Sequence, residues 1–250
     1  MSGDAKDIIP QYIYYFGVWE PHITSWISSC LRPGDGFIDV GANIGYYSLL
    51  ASRLVGERGK VVAVEASPRT FLDLQRNLAL NGVTNVRAIN SAASAGTGKF
   101  KIFRGHEFNT GLSTIFEQSG FELEGEVQAE PLSDLIQANE FKAARVVKID
   151  VEGAEALVLA GMEPMLSLGR DDLEYLIEIN PAALARQGTS AQRVLQPFVD
   201  AGFHAYEIEN DYSPDSYIAS QAVKRPQRIR SLIIERTTDV VLSHLNKDDL

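Results

Sequence analysis

Phe37-Ile38-Asp39-Val40-Gly41-Ala42-Asn43-Ile44-Gly45-Tyr46-Tyr47-Ser48 is a short apolar run, a glycine-bounded loop and the start of a helical pattern, in immediate succession. That order opens a βα unit of an open parallel sheet. Glycines let the backbone approach a ligand closely, and the following helix offers free N–H groups at its N-terminus. Downstream, Val61-Val62-Ala63-Val64-Glu65 is β-branched without alternation, as in a strand buried on both faces. Ser67-Pro68 reads as an N-cap with proline at the first helical position. The helix runs through Phe71, Leu74 and Leu78 and stops at Asn81-Gly82, and Val86–Ile89 is a third strand.

The rhythm then changes. Short strands are predicted over Lys99–Phe103, Leu112–Phe116 and Glu126–Glu130, with an acidic stretch holding Glu117, Glu122 and Glu124. This is a β insertion of about residues 98–130. The α/β pattern resumes with a helix over Leu132–Ala138, a strand over Val146–Asp150, and a helix over Ala154–Ala160 that ends at Gly161. A strand over Leu173–Ile179 follows, then a helix over Ser190–Ala201 in which Pro197 predicts a kink or a late start. Phe203–Ile208 and Ile229–Ile234 are the last predicted strands. Upstream of the first strand lies an aromatic-rich leader, helical in its second half. The organisation is therefore a leader or lid, residues 1–31, on a single domain, residues 32–250.

At 250 residues and 45% hydrophobic content, one large α/β domain has enough apolar material for a core. The formal charge of -10 and pI near 4.9 oppose a polyanionic partner. Arg225, Arg228 and Arg230 are interleaved with other residues and read as a solvated loop, so no nucleic acid is expected. Cys30 is the lone cysteine and allows no intramolecular disulfide, which fits a reducing, cytoplasmic setting. Residues Met1–Pro10 hold no apolar segment like that of a secretion signal, and no run approaches the ~20 apolar residues of a membrane span. Oligomeric state is not legible.

A dinucleotide fingerprint places a second glycine where the pyrophosphate passes; here Asn43 puts a side chain into that space. Asp39 adds a carboxylate at the strand end. Both disfavour a pyrophosphate and suit a ligand with an amino group, a carboxylate and a ribose, such as S-adenosylmethionine. Glu65 ends the second strand about 20 residues after the loop, where an acid accepts hydrogen bonds from ribose hydroxyls. Taken singly, these are an ordinary glycine turn and a solvated acid; their joint spacing carries the reading. A nicotinamide-dependent oxidoreductase and a catalytically inactive binding protein remain alternatives.

Phe37–Ser48 resembles the first motif of the FkbM family of methyltransferases, and Val147-Lys148-Ile149-Asp150-Val151-Glu152-Gly153-Ala154-Glu155 resembles its second hallmark. Val64–Pro68, Asn77–Gly82 and Pro131–Leu135 match between them, and the resemblance runs from about Tyr15 to Glu235. It implies a Rossmann-like class I fold, a mostly parallel seven-stranded sheet with helices on both faces. It implies S-adenosylmethionine as donor, held by Asp39, Gly41, Asn43, Gly45, Glu65, Ala66 and Asp150. Glu20, where the family often has a glutamate, joins that set. The resemblance further implies a small-molecule hydroxyl acceptor on a sugar or secondary metabolite.

Lys148, Asp150 and Glu152 alternate, so an extended segment points them to one face. They are either ion pairs or, with Glu178 and Asn180 at the next strand's end, groups that orient an acceptor hydroxyl or hold a cation. The ligand pattern is no clear metal set, and no metal is assigned. Asn180-Pro181-Ala182 departs from the N-P-P-aromatic motif of amine methylation, which favours oxygen. Tyr15 and Trp19 of the leader, with Asn109, Ser113 and Thr114 of the insertion and Glu178, are the candidate acceptor contacts. Candidate bases are His22, His106, Asp150 and Glu152.

Overall fold

The computed structural model describes residues 1, 3, 7–105, 113–218 and 223–250. Two helices, α1 (Ile8–Phe16) and α2 (Pro21–Cys30), precede β1 (Gly36–Val40). Then come α3 (Tyr46–Val55), β2 (Lys60–Glu65), α4 (Pro68–Leu80) and β3 (Val86–Asn90). The inserted strands are β4 (Ala92–Ser94), β5 (Gly98–Arg104), β6 (Ser113–Thr114) and β7 (Glu122–Pro131). Next are α5 (Leu132–Leu135), α6 (Ala138–Ala143), β8 (Ala144–Ile149), α7 (Glu155–Met162) and β9 (Glu174–Ile179). The chain ends with α8 (Pro181–Arg186), α9 (Ala191–Asp200), β10 (His204–Ile208), α10 (Pro214–Ile218), β11 (Gln227–Arg228) and β12 (Thr238–Ser243).

The main sheet has the order β11-β10-β12-β9-β8-β1-β2-β3. Strands β3, β2, β1, β8 and β9 are parallel neighbours; β12 runs antiparallel between β9 and β10. This is the Rossmann-like class I methyltransferase arrangement, helices on both faces. The strand count is eight rather than seven, because the two-residue β11 pairs on the edge of β10. Strand order β4-β7-β5-β6 makes a second, four-stranded sheet.

Side-chain alternation along β1 divides the core. Phe37 faces a cluster with Ile23, Trp26, Ile27, Ala51 and Val55 from α2 and α3. Ile38 and Val40 face the other side, with Leu132, Phe141, Val158, Leu195 and Phe198. Ser67 caps α4 by accepting a hydrogen bond from the Thr70 N–H, as its Ser-Pro start requires. Among the described residues no helix is long and apolar enough to cross a membrane.

Three local expectations are corrected. Residues Ile229–Ile234 form no strand; Ile229, Leu232 and Ile234 pack partly buried on the core instead. The central antiparallel strand is Thr238–Ser243, hydrogen-bonded to neighbours on both sides. Pro197 brings no late start: its helix begins at Ala191, capped by Ser190, and includes the proline. Gly161 does not stop its helix, which runs on to Met162. A β-carbon there would sit 1.9 Å from the Ser94 carbonyl oxygen, so Gly161 is what lets α7 lie against β4.

Gly161→Ala is therefore expected to lower stability by about 1–3 kcal/mol, the usual cost of overpacking. Urea unfolding should show a lower midpoint at unchanged slope. Parent-like stability would mean that β4 and α7 separate without cost.

Candidate active site

The loop after β1 is shaped by close approach. Gly41 has φ +81°, and a β-carbon on it would lie 1.7 Å from the Asp150 carbonyl oxygen. The Gly41 and Ala42 N–H groups donate to the Val64 carbonyl at 2.9 and 3.0 Å, and the Asp150 N–H donates to the Val40 carbonyl at 3.0 Å. The loops following β1 and β8 are thus locked together across the sheet edge. Asn43 adopts φ +50°. Its N–H donates to Glu65 Oε2 at 2.8 Å, and its own Oδ1 accepts the Ile44 N–H at 2.7 Å. The second Glu65 oxygen accepts the Ser67 N–H at 2.8 Å. Glu65 is buried, and burial pushes its carboxyl up to about 7 against the pull of these two N–H donors.

A cleft of about 1070 Å³, its open mouth included, runs along this edge from Glu65 to Glu178. Its floor crosses β2, β1, β8 and β9, three strand spacings, or roughly 14 Å. The β2–β1 end is lined by Gly41, Asn43, Glu65, Ala66 and Ser91, and the β8–β9 end by Lys148, Asp150, Glu152 and Glu178.

The second end carries an ion network. Lys148 Nζ pairs with Asp150 Oδ2 at 2.9 Å and lies over the Tyr47 ring at 5.1 Å. Burial works against its charge, but Asp150, Asp39 and Glu20 outweigh it and hold the ammonium protonated. The Tyr47 hydroxyl donates to Glu20 Oε2 at 2.5 Å. The other Glu20 oxygen accepts from Tyr212 Oη at 2.6 Å and Asn210 Nδ2 at 2.9 Å. Tyr212 stacks on Trp19, 5.3 Å between ring centres. Glu152 is held at φ +53°, and its carbonyl accepts a hydrogen bond from Thr114 Oγ1 at 3.1 Å. Burial, reinforced by Asp150 and neighbouring acids, raises the proton affinity of both Glu152 and Glu178.

Of the residues singled out in the sequence, Trp19, Glu20, Gly41, Asn43, Glu65, Ala66, Ser113, Thr114, Asp150, Glu152 and Glu178 line this one cleft. Asp39 does not: it is fully buried in β1, where Oδ2 accepts the Ser48 hydroxyl at 2.6 Å. Burial raises its carboxyl, with Lys148 and Ser48 opposing. Gly45, at φ +91°, sits behind the loop and turns the chain into α3. Tyr15 is off the cleft and 71% exposed. His22 is also off the cleft wall; its Nδ1 accepts the Lys224 N–H at 3.2 Å, and burial lowers its pKa. His106 and Asn109 lie outside the described residues. Sequence reasoning missed Tyr46, Tyr47 and Tyr212 on the wall. The first two stand inside the quoted motif; Tyr212 has no local signal.

A family model described as "Methyltransferase FkbM domain" matches residues 39–205. Methyltransferase 1 of Beauveria bassiana is 29% identical over 154 residues, 52% of this chain and 60% of that protein. Protein-L-isoaspartate O-methyltransferase 1 of Archaeoglobus fulgidus is 33% identical over 78 residues, 30% of this chain and 36% of that one. The chain thus spans between about a third and three fifths of the length of these relatives. A crystal structure of a methyltransferase FkbM from Methylobacillus flagellatus superposes with a TM-score of 0.52 at 15% identity. The match covers 97% of this chain and 56% of that one.

S-adenosylmethionine is the cofactor. The residues at the β2–β1 end fit it. Each Glu65 oxygen, with one backbone donor, has acceptor capacity left for a ribose hydroxyl. The acids beyond it offset a sulfonium charge. Only the carboxylate form of Glu65 accepts two hydroxyl donors. Affinity for S-adenosylhomocysteine should therefore climb as pH rises through about 7. Glu65→Ala should cost roughly 1.5–3 kcal/mol of that affinity and flatten the pH dependence. Calorimetry on the folded variant checks both, and unchanged affinity would remove Glu65 from the site.

Proposed function

This chain belongs to the FkbM methyltransferase family, and from that membership we propose that it transfers the methyl group of S-adenosylmethionine to a hydroxyl of a small molecule, a sugar or a secondary metabolite. The observation that carries this reading is the single cleft in which Glu65 and Glu178 stand at opposite ends. The bound donor supplies an electrophilic methyl group. The protein supplies the position of the acceptor and the removal of its proton.

Two carboxylates stand at the β8 end of the cleft. Asp150 is tied to Lys148. The Glu152 carboxylate accepts no hydrogen bond among the described residues, and its raised proton affinity brings it toward the range useful to a base at neutral pH. Glu152 is the base in this proposal, and Asp150 beside it is paired with Lys148. Trp19, Ser113, Thr114 and Glu178 form the acceptor wall. So many acids select an uncharged or cationic acceptor over a phosphorylated one. The same chemistry argues against a nicotinamide cofactor. The Asn43 N–H that would meet a pyrophosphate is committed to Glu65, and a second buried acid, Asp39, lies beneath.

A panel of hydroxylated sugars, polyketides and peptides with labelled donor should give a product methylated on oxygen, read by mass and site. Methylation on nitrogen or carbon overturns the assignment, and preference for a sugar phosphate overturns the charge argument. Glu152→Gln should lower kcat by about 10²–10⁴-fold while leaving S-adenosylhomocysteine affinity nearly intact.

Turnover should also persist in a chelator, because Asp150 is engaged by Lys148 rather than left free for a cation. Loss of turnover in chelator with recovery on adding magnesium would make Asp150 and Glu178 metal ligands.

A further inference from the structure

A carboxylate of the insertion reaches back to the residues that hold Glu65 at the donor end of the cleft. Glu124, on β7, accepts the Ser67 hydroxyl at 2.8 and 3.0 Å on its two oxygens, and the Arg69 N–H at 3.0 Å. Ser67 in turn donates its N–H to Glu65 Oε1 and caps α4 through the Thr70 N–H. A carboxylate 57 residues away in the chain therefore holds the residue that holds Glu65. A plain N-terminal cap for α4 needs no such partner, since the Ser67 hydroxyl already serves as one.

We propose that Glu124 is a positioning residue for the donor: it fixes Ser67, and through Ser67 the Glu65 carboxylate, in the orientation that meets the ribose. The proposal rests on the reading of Glu65 as the ribose acceptor. Its consequence is that the insertion, whose Ser113 and Thr114 line the acceptor wall, is also part of the donor site.

Geometry and charge give separate signatures. Glu124 faces Glu65 from β7 and Asp39 faces it from β1, and both add to the burial that favours its protonated form. The backbone N–H groups of Ser67 and Asn43 oppose them. Removing the Glu124 charge while keeping an acceptor oxygen should leave the hydrogen bonds in place and ease ionisation of Glu65.

The test is S-adenosylhomocysteine calorimetry across pH 5.5–8.5 on the parent, Glu124→Gln and Glu124→Ala, with steady-state kinetics alongside. Glu124→Ala should raise Kd and the donor KM about fivefold to tenfold, with kcat at saturating donor within about twofold. Glu124→Gln should bind near the parent level at pH 8 and carry the acid limb of binding to lower pH. A donor KM unchanged in Glu124→Ala overturns the proposal. So does an acid limb in Glu124→Gln that coincides with the parent's, which would leave Glu124 a structural cap; this second variant decides the matter if Glu124→Ala does not fold. Glu65→Ala run in parallel separates the two readings. If it leaves affinity unchanged, the ribose assignment fails; if it weakens binding while both Glu124 variants bind as the parent does, only the positioning role fails.

Discussion

The Asp150 carbonyl oxygen occupies the place where a β-carbon on residue 41 would be, 1.7 Å from the ideal position. No side chain other than hydrogen fits there, and φ at +81° independently favours glycine. That contact welds the loop after β1 to the loop after β8. The first carries the donor-facing backbone, and the second carries Asp150 and Glu152. A cleft of two halves becomes one rigid floor, with its halves a fixed number of strand spacings apart. Methyl transfer depends on such a fixed distance, because an in-line displacement gains most from the position of its nucleophile.

The floor is charged, and burying that charge is costly. Lys148 is 4% exposed and Glu20 5% exposed on the cleft wall. An unpaired charge at such burial would neutralise itself. The chain avoids this by giving each a set of partners: Asp150 and the Tyr47 ring for Lys148, and Tyr47, Tyr212 and Asn210 for Glu20. Tyr47 belongs to both sets, so it couples the ammonium to the leader. The Glu20 partners come from α3 and from the segment after β10, and they clamp Trp19 and Glu20 over the site. The leader is therefore fixed by the same polar network that pairs Lys148 and Glu20.

How much of this was legible follows from sequence distance. The loop from Asp39 to Gly45 and the acid at Glu65 form one βα unit, and its glycine and N-cap positions are local signals. Asp150, Glu152 and Glu178 followed from strand ends, which hydrophobic runs reveal. Asp39 misled because a strand-end acid looks the same whether it faces the ligand or, as here, Ser48 beneath it. His22 was a candidate base because its segment could overhang the site; two positions past Glu20, its ring accepts the Lys224 backbone N–H and lies off the cleft wall. Ile229–Ile234 imitated a strand because a segment that merely lies on the core is also apolar at intervals. Gly161 imitated a helix stop because the Ser94 carbonyl that requires it is 67 residues away and leaves no local trace.

The donor and acceptor halves differ in the same respect. The residues at the proposed ribose end, apart from Ser91 and Glu124, lie within β1, β2 and the turns that follow them. The proposed acceptor end is lined by Trp19, Ser113, Glu152, Glu178 and Tyr212, drawn from five separate stretches of chain. A local motif constrains the first half because neighbouring residues make it. The second half is free to vary in each of its pieces as long as the floor beneath it holds. The Gly41–Asp150 contact is what permits this separation. It fixes the geometry of transfer in the backbone, and leaves the identity of the acceptor to side chains that no backbone motif ties together.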